Sequence, residues 1–214
     1  FTELDLGRRK VDALADRLRA ISDQVIVVER PGLAQVALQS AVDADVIIDC
    51  TVNTGVAVAI DEAQASGTLP TPVVQVATDN DSATLGILTV SAGSPTETTN
   101  ATDKALRETV ANDSTLRPYL AFWNRDNHPS MIPTLGCSVP TFHGAATDAC
   151  AIAAQAVSLA STALGRGIAA GYLFAAAHSP HTVPRLVAVP VDSGGTDRGM
   201  PSASDAPPGT EPPA

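Results

Sequence analysis

The run Ala44-Asp45-Val46-Ile47-Ile48-Asp49-Cys50-Thr51-Val52-Asn53 passes from an apolar segment straight into a polar group. Val46, Ile47 and Ile48 are β-branched, which suits a strand buried on both faces, and Asp49 to Asn53 then form its carboxyl end. A helical stretch near residues 33–42 precedes this strand. Another near residues 56–65 follows it, closes with Gly67, and leads to a second apolar strand, Val73-Val74-Gln75-Val76. Upstream, residues 7–21 set Val11, Leu14, Leu18 and Ile21 at spacings of three and four, with charged residues mostly on the other side, as in an amphipathic helix. The β-branched run Val25-Ile26-Val27-Val28 after it reads as a further strand. Three short apolar strands separated by helices predict an α/β fold with a Rossmann-like, mostly parallel sheet and right-handed crossovers. Ligands collect at the carboxyl ends of strands in such sheets, so residues 49–53 are the first place to look for function.

Beyond residue 80 the pattern loosens. Residues 85–90 read as a strand, 94–100 as a Ser/Thr/Pro/Asn loop and 103–110 as a short helix. Residues 117–131 read as an irregular crossover holding Trp123 and His128. An Ala-rich helix is predicted over 145–164, and a last strand over 185–191. From Ser193 the chain is Gly, Ser, Pro, Asp and Thr with almost no large apolar residue, so residues 193–214 are expected to be a disordered tail on a domain spanning 1–192.

Composition narrows the function. Of 214 residues, 44% are hydrophobic and 3% aromatic, so Ala, Val, Leu and Ile must fill the core. A formal net charge of -10 sets an unfavourable field for nucleic acid and for anionic membranes, and neither is expected as a partner. The stretch 145–164 carries Asp148 and Gln155 and is mostly Ala, too weakly hydrophobic for a spanning helix. Cys50, Cys137 and Cys150 form no CxxC pair, and an odd number argues against a disulfide framework; a reducing, cytoplasmic setting fits. A chain that begins at Phe1 rather than Met is read as processed or as a piece of a longer one.

Four features offer chemistry. Lys10, in Gly7-Arg8-Arg9-Lys10, sets a cation at a helix start. Asp49, Thr51 and Asn53 offer a carboxylate, a hydroxyl and an amide where a nucleotide or metal can sit, although Asp at a strand end also serves for capping alone. Cys137 lies in Gly136-Cys137-Ser138-Val139-Pro140-Thr141-Phe142-His143-Gly144, a Gly/Pro-bounded loop ahead of a helix, where exposure and the helix N-terminus favour thiolate; His143 is a candidate base. Cys50, on a strand, and Cys150, in a helix, read as packing thiols. Asp148 sits in a helical first turn, which the helix dipole favours whatever else it does.

The order of these motifs, residues 7–14, 25–28, 44–53 and then 136–144 followed by Asp148, resembles the middle and second half of the ThiF/MoeB superfamily, the adenylating domain of ubiquitin-activating enzymes. In particular it looks like bacterial ThiF-type proteins found with ubiquitin-conjugating-like and JAB-like domains, and the similarity covers roughly residues 7–164. The resemblance implies adenylation of the C-terminal glycine of a ubiquitin-like or sulfur-carrier protein with ATP and magnesium, in a homodimer. It implies that Lys10 contacts phosphate, that Asp49, Thr51 and Asn53 border the nucleotide, and that Cys137 takes the acyl group as a thioester. Val52 stands where many members have a magnesium-binding aspartate, so the resemblance implies either that Asp49 serves the metal or that the metal site is altered. The family's Gly-rich phosphate turn, ribose-binding acid and Arg-bearing segment precede the equivalent of Gly7, so the chain as given is expected not to bind ATP with useful affinity. The zinc-binding CxxC pairs of some relatives are absent. Two other readings compete: a catalytically silent scaffold or dimerisation module, and part of a nicotinamide-dependent reductase, which would have no use for Cys137.

Overall fold

A computed structural model describes residues 5–38, 41–51, 53–79, 82–123 and 145–191. Its centre is a five-stranded sheet in which neighbours in sequence are neighbours in space: β1 (Ile47–Asp49), β2 (Val73–Thr78), β3 (Leu85–Val90), β4 (Ala170–Ala175) and β5 (Leu186–Pro190). The helices are α1 (Lys10–Ile21), α2 (Ala34–Leu38), α3 (Thr54–Ala65), α4 (Thr99–Asn112) and α5 (Ala146–Arg166), with a 3-10 helix at Ser114–Phe122.

The fold is α/β, but the sheet is not mostly parallel. β1 and β2 are parallel across the α3 crossover, whereas β2 with β3, β3 with β4 and β4 with β5 are antiparallel. A parallel connection requires roughly a dozen residues or more. The turn from Thr78 to Leu85 is too short for that, so β3 has to double back on β2. The run Val25–Val28 is not a strand either; Val25, Ile26 and Val28 are exposed, Ile26 at 91%. The prediction missed β4, whose Tyr172, Leu173 and Phe174 are favourable strand residues lying just past the left-handed Gly167 that ends α5.

Each face of the sheet carries its own core. Val74, Leu88, Val90, Tyr172 and Phe174 pack under Ile152, Ala156, Ala160 and Ala163 of α5. The small side chains of that helix let it lie close, and one face of a helix apolar enough to cross a membrane by length and composition is thereby turned onto the sheet. On the opposite face Leu85, Leu173, Ala175 and Val189 meet Leu106 and Val110 of α4 and Leu116 and Tyr119 of the 3-10 helix. Val56 and Ile60 of α3 pack beside them on Leu69 and Val73, with Ala34, Leu38 and Ile47 at the margin. No described residue before Ala34 belongs to these clusters. α1 buries Ala13 and Ala15, and ion pairs join it to its own flanks: Arg9 with Asp12, Arg17 with Asp5 and Arg19 with Glu29.

Helix ends follow local chemistry. Thr98 Oγ1 accepts the Ala101 N–H at 3.2 Å, so α4 begins inside the stretch expected to be loop and runs well beyond 103–110. Asp113 opens the 3-10 helix by accepting the Thr115 N–H, where an irregular crossover was expected. The fully buried Gln64 joins the layers: its amide nitrogen donates to Ser91 Oγ, and its oxygen accepts the Thr99 N–H. α3 and α4 are thereby fixed relative to each other over the sheet.

Candidate functional site

The polar group at the end of β1 opens a cavity of about 460 Å³ between α3, α4 and the face of β2 and β3. Asp49 is buried, with Oδ1 accepting the Thr51 N–H and Oδ2 accepting the Gln75 amide, each at 2.9 Å. Asn53 Oδ1 accepts the Gly55 N–H at 2.8 Å and caps α3. Asp49, Thr51 and Asn53, singled out in the sequence, therefore line one cavity.

The remaining polar lining comes from residues the sequence reading passed over. Thr54, Ala57, Val58 and Asp61 sit on one face of α3, at spacings of three and four; Thr99, Asn100 and Asp103 do the same on α4. From the sheet come Gln75 and Thr89, which are register partners. Gln75 in Val-Val-Gln-Val and Thr89 in Leu-Gly-Ile-Leu-Thr-Val are polar interruptions of apolar strands, and that was the available signal. Asp103 accepts the Trp123 indole N–H at 3.0 Å and 3.1 Å, one distance to each carboxylate oxygen. Burial pushes its carboxyl above the ordinary range, against the pull of that bond and of the Arg107 charge. Asp61 Oδ1 and Thr89 Oγ1 are buried and have no hydrogen-bond partner. An unmet buried polar group costs about 1–3 kcal/mol.

Lys10 begins α1 and does not line the cavity, but its charge is felt at Cys50, next to Asp49. The Cys50 thiol is pushed up by desolvation and by the Asp49 carboxylate, with Lys10 opposing, so at neutral pH it is protonated and poorly nucleophilic. Both Cys50 and Cys150 are exposed, which corrects their reading as packing thiols. β1 ends at Asp49, leaving Cys50 in a loop, and Cys150 lies off the Ile152 and Ala156 face of α5. Asp148, in the first turn of α5, meets His178 Nε2 at 3.1 Å. Cys137, His143, His128, Val52 and the tail 193–214 lie outside the described residues.

Among the described residues, no group of three His, Cys, Asp or Glu side chains is placed to hold a metal ion. Asp49 is the one acidic side chain at the end of β1, and each of its oxygens already accepts a hydrogen bond, from the Thr51 N–H and the Gln75 amide. The lining contains no Lys or Arg. Fold and site together define a mixed-sheet α/β protein with an acidic cavity at the end of the one parallel strand pair among the described residues. The chain matches no protein-family model and no curated protein.

Proposed function

We propose that this chain supplies the strand-end part of an adenylate-forming enzyme of the ThiF/MoeB type, acting on a ubiquitin-like or sulfur-carrier protein. One observation supports the reading: Asp49, Thr51 and Asn53 line a single cavity at the carboxyl end of β1. In this reading the substrates are ATP and the carrier's C-terminal carboxylate. The carboxylate attacks the α-phosphorus, a P–O bond forms, and pyrophosphate leaves. Lys10 is assigned to phosphate charge and Asp49 to the accompanying magnesium. Cys137 then attacks the acyl carbon as thiolate, forming a C–S bond and releasing AMP, and a ubiquitin-conjugating-like partner can accept the acyl group.

The test is carrier-dependent exchange of pyrophosphate into ATP by protein made from its complete reading frame. Lys10→Ala is expected to lower exchange at least tenfold. Cys137→Ala is expected to leave exchange intact while abolishing a thiol-sensitive carrier adduct. Absence of both nucleotide binding and exchange overturns the reading. The alternative is then a silent scaffold, which draws support from the acidic lining and from the exposed apolar side chains Leu14, Leu18, Ile21, Ile26, Val28 and Leu33. A surface of that kind suits a second copy of the chain, and homodimerisation belongs to either reading.

A further inference from the structure

We propose that the cavity lined by Asp61, Thr89 and Asp103 is a binding site for a guanidinium or ammonium group. Three carboxylates, Asp49, Asp61 and Asp103, reach this cavity from three different elements, and no basic side chain lines it to balance them. Thr89 is 5% exposed; it faces the cavity because strand alternation turns it, with Ile87 and its register partner Gln75, away from the α5 side that Leu88 and Val90 occupy. Its Oγ1 and the Asp61 Oδ1 are buried acceptors without partners. Buried polar atoms in folded proteins are almost always satisfied, so two such atoms on one cavity wall call for a donor supplied from outside the chain.

The occupant is donor-rich and extended. Asp49 already accepts two hydrogen bonds and Asp103 an indole N–H, whereas Asp61 Oδ1 has no partner and no cationic side chain lines the cavity to meet it. A single metal ion is a poor match, since no three acidic, His or Cys side chains among the described residues can share one. A planar guanidinium offers five N–H donors in a fork and an alkylammonium three on one nitrogen, and a volume of about 460 Å³ accommodates a small molecule or one long side chain. The group can therefore come from a free amine or from a basic residue of a peptide. The proposal does not rest on the adenylation reading, although both draw on the same cavity and on Asp49.

Calorimetric titration of the full chain with agmatine, and separately with an end-blocked Gly-Arg-Gly peptide, tests the site and distinguishes the two sources. Saturable binding of either probe is expected, at least tenfold weaker in Asp61→Asn and in Thr89→Val, and unchanged in Glu108→Gln, an exposed acid on α4. Replacing agmatine by a neutral urea of the same length should also weaken binding at least tenfold. Two results overturn the proposal: no saturable binding of either probe at millimolar concentration, or equal weakening in Glu108→Gln, which would mark general attraction to an acidic chain. Thr89→Val is nearly isosteric and removes only the hydroxyl, so it keeps the test sound if Asp61→Asn fails to fold.

Discussion

Asp79 shows how much one side chain can fix. Its Oδ1 accepts the Leu85 N–H at 2.7 Å, while Oδ2 accepts the Ser82 N–H at 2.8 Å and the Ser82 hydroxyl at 2.7 Å, so the turn from β2 to β3 is wound around a carboxylate. The same turn holds Ala83 at a φ of 52°, a conformation that needs such support. Burial alone would raise the Asp79 pKa, but the donated hydrogen bonds outweigh it and the value is lowered. A carboxyl depressed in the folded state stabilises above its unfolded pKa of about 3.9, and that contribution is lost as pH falls through the folded value. Asp79→Asn is therefore expected to cost about 1–3 kcal/mol at pH 7. Urea midpoints of the two proteins should converge as pH falls through the depressed folded value, where the wild-type carboxyl is also protonated. A gap that persists there would show that shape, and not charge, holds the turn.

At the scale of elements, α4 and β4 meet through a glycine. A Cβ on Gly171 would lie 2.6 Å from Cγ of Leu106, so the helix can seat on the strand only because nothing projects there. Gly171→Val is expected to destabilise by about 1–3 kcal/mol, read from urea unfolding, as α4 is lifted. It should also weaken agmatine binding, since α4 carries Asp103 and Thr99. A stability loss with unchanged binding would mean that the helix pivots without disturbing the cavity wall. Elements of this kind were partly legible in the sequence. The strand over 85–90 and the helices over 7–21, 56–65 and 145–164 are present within a few residues, because their apolar spacing is strong. Strand direction was not legible: β-branched runs say that a strand is buried, not which way it runs. The run Val25–Val28 misled for the same reason, since the described fold offers it no strand partner. Half of the site was legible at Asp49, Thr51 and Asn53, which are contiguous. Asp61, Thr89 and Asp103 come together only through Gln64 and the β2–β3 register.

At the scale of the whole molecule, stability is unevenly distributed. β3 and β4 are central and covered on both sides, whereas the described residues before Ala34 bury only Ala13 and Ala15 and join none of the three apolar clusters, and exposed ion pairs such as Arg9–Asp12 and Arg19–Glu29 are each worth about 0–1 kcal/mol. Local opening should follow that gradient. Among sites in the described residues, thermolysin is expected to cut first around Val25, Ile26 and Val28, with β2, β3 and β4 still protected. Simultaneous cleavage in the strands and in this segment would show that the chain opens as one unit.

The two margins of the sheet differ in kind. β5 ends on Pro190, which offers no N–H, and begins just after Pro184, so that margin is blunted against further hydrogen bonding. β1 is short, keeps Ile48 61% exposed, and among the described residues is paired only with β2. Growth of the sheet by another strand, whether from the same polypeptide or from a neighbour, is thus directed to the margin beside Asp49, where a newcomer would become part of the cavity's entrance.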